Sequence, residues 1–457
     1  MRPISRIAAV FSATALAFSL AACADTGDSG STSTTSAASA GTIDCAPYEA
    51  FGDIKGKEVT VYTSIVAPED QPHIDSYKPF EDCTGAKVIY EGSKEFEAQL
   101  LVRVKGGNAP DIAYVPQPGL LATLVKETGK VVEAPAETAA NVEKNWEASW
   151  KAYGSVDGKF YAAPLGANVK SFVWYSPKQF EAKGYTVPET WDDLMSLTEK
   201  IAADDPGAKP WCAGFGSGDA TGWPGTDWLE DVLMRTSTPE NYDKWVKHEI
   251  PFNDPTVVDA LDKAGAILKN DKYVNGGFGD VKSIATTTFQ DGGQPILQNK
   301  CYMHRQASFY AANWPAGTKV AEDGDVFAFY LPAVDPAKGK PVLGGGEFVA
   351  AFADRPEVKA FQTYLASAEW ANAKAKATPT GGWVSANKGL DINNLVSPID
   401  KLSAETLADE KAVFRFDGSD LMPGAVGSGT FWRGMTNWIT GSNTKTELDM
   451  IEGSWPK

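Results

Sequence analysis

Histidine is scarce in this chain, with 3 residues in 457, and no HExxH pair, no paired CxxC and no Cys/His cluster occurs. The expectation is therefore no metal site and no cofactor. GxSxG is missing, and none of the Gly-Lys pairs is followed by Ser or Thr, so neither a nucleophile elbow nor a P-loop is written here. Basic charge is short too: 42 Lys plus Arg stand against 59 Asp plus Glu, a formal net charge of −17. Nucleic acid and acidic lipid heads are polyanions that such a surface repels. Repeats of solenoid period are absent. The apolar run Ile7–Leu20 is too short to span a bilayer.

That run has another use. Arg2 and Arg6 precede it and Leu20-Ala21-Ala22-Cys23 follows, which reads as a secretion signal over residues 1–22 with a lipoprotein cut before Cys23. The Cys23 sulfur then carries a diacylglycerol, and two or three acyl chains give stable attachment where one gives only a marginal one. Removing Arg2 and Arg6 takes the net charge from −17 to −19. Thr26 to Gly41 is almost entirely Ser, Thr, Ala and Gly, a composition that cannot offset the entropy of ordering, so residues 23–54 read as lipidated cysteine and flexible linker. The expected location is the outer face of the cytoplasmic membrane. In that oxidising setting Cys45, Cys83, Cys212 and Cys301 make two disulfides, for which three pairings exist. Cys45 and Cys83 bracket the first strand and helix while Cys212 and Cys301 share the middle third, favouring 45–83 and 212–301.

About 410 residues remain after signal and tether, enough for two or three domains. Glu58 to Thr63, Lys87 to Tyr90 and Asp111 to Val115 are β-branched, alternating runs. Between the last two, Phe96, Leu100, Leu101 and Val104 mark one face of a helix over Lys94 to Lys105. Strand and helix in alternation imply a parallel sheet with right-handed crossovers, whose ligands gather beyond the carboxyl ends of the strands. Lys170 to Tyr175, Val326 to Tyr330 and Phe348 to Phe352 read as further strands. Thr190 with Asp193 forms an Asp version of a capping box with Trp191 turned to the core, and Asp254-Pro255 and Arg355-Pro356 open two more helices. Gly344-Gly345-Gly346 and Gly381-Gly382 supply the backbone freedom that domain crossings need.

The aromatic supply is the most informative feature, with 14 Trp and 15 Tyr, many beside Gly and Pro. A sugar ring has an apolar face that suits an aromatic plane and a hydroxyl rim that suits Asp, Glu, Asn, Gln and Arg. Trp223, Trp383 and Trp432 are the candidate platforms.

Lys94 to Gln117 (KEFEAQLLVRVKGGNAPDIAYVPQ), Ala163 to Tyr175 (APLGANVKSFVWY), Met303 to Pro315 (MHRQASFYAANWP), Gly344 to Phe352 (GGGEFVAAF) and Met422 to Trp432 (MPGAVGSGTFW) together carry a resemblance. In their order and spacing the chain resembles a family 1 extracellular solute-binding protein of an ABC sugar importer, of the alpha-glucoside type and more distantly similar to maltose-binding protein. The resemblance implies an α/β, two-lobed periplasmic-binding-protein-like type II fold with the ligand cleft between the lobes. The first lobe would hold residues 55–166 and return over 344–381; the second would hold 167–343 and return over 382–457 with the C-terminal helices. Carried over, Trp432 matches the aromatic that stacks on glucose in maltose-binding protein, Phe309 falls at another stacking position, and Asn168 stands where that protein has a glutamate. Gln117 follows the third strand where rim-bonding residues sit, and Glu347 enters at a crossover after the triple glycine. Glu91 at the carboxyl end of the second strand and Asp227 beside Trp228 are further candidates. The partners implied are a small sugar and the permease subunits, with the receptor a monomer and no nucleic acid involved. An exported carbohydrate-active enzyme, with two carboxyls about 5–9 Å apart, is the competing class; an adhesion or scaffold module, or a receptor for a non-glucoside solute such as a polyamine, are further alternatives.

Overall fold

The computed structural model describes residues 43–456 except Phe278. The expected signal, Cys23 and the Ser/Thr/Ala tether lie outside the described residues. The first parallel sheet follows from the three alternating runs. Glu58–Thr63 pairs in parallel with Lys87–Gly92 on one side and with Ile112–Val115 on the other. Phe348–Ala351 then adds antiparallel to Ile112–Val115, and Ala162–Pro164 closes the row. Both faces are covered, so Ile112–Val115 is buried at every position. The N-terminal segment differs from the linker expectation. Tyr48 and Ile54 are buried in this lobe's core, and the Cys45–Cys83 disulfide pins the short Ala46–Glu49 helix to it. Ordering of residues 43–54 follows from that covalent tie and the packing of Tyr48 against Phe80 and Tyr364.

A second five-stranded sheet runs in the order Val274–Asn275, Lys209–Cys212, Cys301–Arg305, Phe172–Tyr175 and Phe327–Tyr330. The Cys212–Cys301 disulfide staples its neighbouring strands, with Cα atoms 5.8 Å apart. Helices Trp191–Asp204, Trp223–Thr236 and Pro255–Leu268 cover one face. The first starts on the capping box read from the sequence, and the last on the Asp254 side chain, which accepts from Thr256 N–H. Trp191 is in the core. A three-stranded sheet of Ala412–Phe416, Lys340–Gly345 and Asn168–Val169 joins the lobes. The chain crosses first at residues 165–167, back through Gly346 and Glu347, and a third time beyond Leu395. Trp383, Val384 and Leu395 still pack in the first core, past the expected boundary at 382, because Trp383 meets Trp370 edge-on at 5.6 Å. No helix among the described residues is long and apolar enough to cross a membrane.

Candidate functional site

A cleft lies beyond the carboxyl ends of the first-lobe strands. Ser64 and Ile65 follow the first strand, Lys94 and Glu97 the second, and Gln117 the third, while Glu347 leads into the antiparallel strand from the same end. Opposite them the second lobe presents Asn168, Trp223, Phe289, Phe309, Asp420 and Trp432. The aromatic wall is self-supporting: Trp223 sits 5.1 Å from Phe289 and 5.9 Å from Phe309, centroid to centroid. Gly222 makes room for it. Its φ of 114° is in the left-handed region, and a side chain there would run into the Trp432 carbonyl, so the start of the Trp223 helix packs directly on the Trp432 backbone. Asn313 Nδ2 donates to Glu69 Oε1 at 2.9 Å, bonding the lobes to one another across the cleft.

Several hydrogen-bonding atoms here are buried without a partner among the described residues. Gln117 Nε2 donates to Glu97 Oε1 at 3.3 Å but its Oε1 is unpaired, and so are Asn168 Oδ1, Trp432 Nε1 and Asn313 Oδ1. A buried polar atom left unmade costs about 1–3 kcal/mol, so such a set marks a place meant to be filled. Burial pushes the Glu69 and Glu97 carboxyls up to about 7, and it raises Glu347 as well. Asp420 is pushed up by burial and by the charge of Asp417.

Beneath the aromatic wall lies a buried ionic floor. Lys170 Nζ donates to Asp227 Oδ1 at 3.0 Å and to Asp417 Oδ2 at 2.5 Å, and stands 5.3 Å from the Trp223 ring. Burial resists the Asp417 charge, yet the Lys170 ammonium prevails and holds that carboxyl down at about 2. Asp227, where burial prevails over Lys170, is pushed up to about 7. Arg305 continues the network to Asp231 at 2.9 Å, and Arg235 pairs with the same aspartate.

Among the residues singled out in the sequence, Gln117, Asn168, Trp223, Phe309, Glu347 and Trp432 line the cleft together. Trp383 lines a side chamber that opens off it. Asp227 is not a lining residue; it is fully buried in the ionic floor, because the helix Trp223–Thr236 turns it inward toward Lys170. Glu91 is outside the site altogether. The second strand runs on to Gly92, so Glu91 projects sideways from the strand and pairs with Arg103 at 2.6 Å on the surface. Cys45–Cys83 and Cys212–Cys301 are the disulfides. Sequence reasoning missed Glu69, Glu97, Lys170, Asp417 and Asp420. Lys170 carried a usable signal, a lysine heading an otherwise apolar strand. Asp417 directly follows the Ala412–Phe416 strand, but nothing local says which sheet that strand joins.

The sequence profile of the bacterial extracellular solute-binding proteins matches residues 62–372. The osmoprotective compounds-binding protein GgtB of Synechocystis sp. is 40% identical over 408 residues, spanning 89% of this chain and 94% of that protein. The alpha-glucosides-binding periplasmic protein AglE of Rhizobium meliloti is 38% identical over 418 residues, 88% of each chain. Among solved structures, the bacterial solute receptor AcbH superposes with a TM-score of 0.73 at 19% identity, over 87% of this chain and 98% of that one. Maltose-bound T. maritima MalE3 gives 0.66 at 14% identity, with coverage of 87% and 98%. At these identities the two structures bear on the fold alone, and both share its two lobes.

Proposed function

Since this chain belongs to the bacterial extracellular solute-binding protein family, we propose that it captures an alpha-glucoside or related oligosaccharide between its lobes and delivers it to the permease of an ABC importer. The observation that carries the sugar reading is the pairing of an aromatic wall with unfilled hydrogen-bonding atoms. Trp223 and Trp432 offer apolar planes, while Gln117 Oε1, Asn168 Oδ1 and Trp432 Nε1 lack partners at the rim. Ligand acts by favouring the closed arrangement, in which atoms of both lobes reach it at once. No covalent step is part of this reading. Asp417 is held by Lys170 and by Ser419 Oγ at 2.7 Å, which suits a structural anion better than a general acid. Of the two named relatives, the alpha-glucosides-binding protein AglE favours a glycoside over a polyamine.

Calorimetric titration of the purified protein with maltose, trehalose, isomaltose, sucrose, maltotriose and a spermidine control tests this. The expected outcome is saturable binding of at least one alpha-glucoside with the sugar recovered unchanged. Disappearance of the sugar would move the reading to an enzyme, and silence from all of them in a folded protein would remove the alpha-glucoside class. The receptor is attached to the outer face of the membrane through Cys23 in this reading. Cys23→Ala is expected to move the protein from the membrane to the soluble fraction; retention on the membrane would overturn the anchor.

A further inference from the structure

The side chamber beside the cleft has a chemistry of its own. It shares Glu69, Asn168, Phe309 and Glu347 with the cleft and adds His73, Lys374 and Trp383. Apart from Phe309 it offers no free aromatic plane, because the Trp383 ring is covered by Trp370 edge-on and by Lys374 at 5.3 Å. Its polar groups are nonetheless unfilled. His73 is 4% exposed, Asn168 8% and Trp383 7%, and His73 Nδ1, Asn168 Oδ1 and Trp383 Nε1 all lack partners. Lys374 is 2% exposed, and its Nζ donates to Thr378 Oγ1 at 2.9 Å. A Cβ placed on Gly166 would meet Trp383 Nε1 at 3.0 Å and Glu347 Oε2 at 3.3 Å. A donor and an acceptor therefore converge on one point at the crossover between the lobes.

The mixture decides the ligand chemistry. A carboxylate or phosphate supplies acceptors only and would lie against Glu69 and Glu347. An ammonium supplies donors only and would leave Trp383 Nε1–H and the remaining Lys374 protons unmade. A hydroxyl is donor and acceptor in one atom, and satisfies both kinds. We infer that this chamber is a subsite for the second, hydroxyl-bearing unit of a two-unit glycoside whose first ring stacks in the cleft. The inference rests on the receptor reading above and adds a determinant of ligand size to it. Trp383 and Lys374 are the specificity residues, and the second unit is held by hydrogen bonds more than by stacking.

The test compares ligands of one and two units on the purified full-length protein. Methyl α-D-glucopyranoside fills only the stacking position; the disaccharide that binds best among maltose, trehalose, isomaltose and sucrose reaches the chamber. Trp383→Phe keeps an aromatic plane and removes the N–H together with the smaller ring of the indole. It is expected to weaken the disaccharide about five- to tenfold and the monosaccharide less than twofold, one buried hydrogen bond being lost. Lys374→Met, which removes the buried amine without shortening the side chain much, is expected to show the same selective loss, with a thermal melt verifying the fold. Trp432→Ala should weaken both ligands. Equal loss for both ligands in Trp383→Phe, or none for either, overturns the chamber assignment while leaving the receptor reading intact. Failure of every sugar to bind the unmodified protein overturns both.

Discussion

Replacing Lys170 by Met tests whether the ionic floor supports the site. The methionine preserves most of the methylene stem and deletes the ammonium that bridges Asp227 at 3.0 Å and Asp417 at 2.5 Å. Asp227 would keep Arg305 Nη1 at 3.5 Å, but Asp417 would keep only neutral donors, Ser419 Oγ at 2.7 Å and Asp420 N–H at 2.9 Å. Breaking a buried pair by deleting one partner costs about 3–5 kcal/mol, because the other charge stays buried. The cost should depend on pH with a definite sign. In the unmodified protein the folded Asp417 carboxyl sits at about 2, below its usual value of 3.8, so its stabilisation is full above 3.8 and is lost as pH falls through 2. Without Lys170 that carboxyl is driven upward, and the folded variant gains by binding a proton. The deficit should be about 3–5 kcal/mol at pH 7 and visibly smaller at pH 4.5, read as a shift in urea midpoint by tryptophan fluorescence. Lys170→Met with Asp417→Asn should recover part of it. A deficit under about 1 kcal/mol at pH 7, or one that is equal at both pH values, would refute the argument.

Trp432→Ala should cost about 2–4 kcal/mol of sugar affinity by calorimetry, the range for a buried aromatic anchor, and unchanged affinity in a folded variant would remove it from the site. Glu69 and Glu97 bind protons more strongly folded, at about 7, than unfolded at 4.5; each therefore contributes stability that is full below 4.5 and lost as pH rises through 7. Urea midpoints measured between pH 5 and 7.5 should carry that falling component, and Glu97→Gln should flatten it; an unaltered slope would count against the burial of that carboxyl. Removing the Cys212–Cys301 bond with paired alanines releases a loop of 89 residues in the unfolded chain, worth about 4–5 kcal/mol by loop entropy. A loss below about 1 kcal/mol would mean that the neighbouring strands alone constrain the ends.

The fold was legible wherever burial produces a period. Glu58–Thr63 and Phe348–Ala351 are strands because their runs are β-branched or apolar, and the Trp191 and Pro255 helices begin on caps that the sequence prints. The cleft was half legible. Trp432, Gln117 and Asn168 came from matching short segments, and each sits at the end of an element whose position the topology dictates. Glu69 and Asp420 were invisible for a physical reason. Both lie in segments with no period, and each becomes a cleft residue only when distant strands pair. Glu91 shows the same limit from the other side: being near a strand's carboxyl end did not suffice, because two more residues of pairing turned it outward to Arg103.

The remaining question is how one cleft tolerates Glu69, Glu97, Glu347, Asp417 and Asp420 with few cations nearby. Lys170 holds Asp417 and also favours the charged form of Asp420 and Glu347, and Lys374 does the same for Glu69 and Glu347. The backbone adds to this. Phe96–Lys105, Pro118–Thr128 and Trp223–Thr236 all begin at the cleft, as the lining positions Glu97, Gln117 and Trp223 mark. Each helix start carries about half a positive charge on N–H groups lacking intrahelical partners. Three such ends facing one space supply a field that favours negative charge without adding a single base. The same arrangement explains why the site can stay acidic in its side chains and still present free N–H donors to a ligand. A neutral polyhydroxylated molecule draws on both, accepting from the helix ends and donating to the carboxylates. A ligand bearing a full negative charge would gain from the first and lose to the second, which places selectivity in the balance between backbone and side chain and not in any one residue.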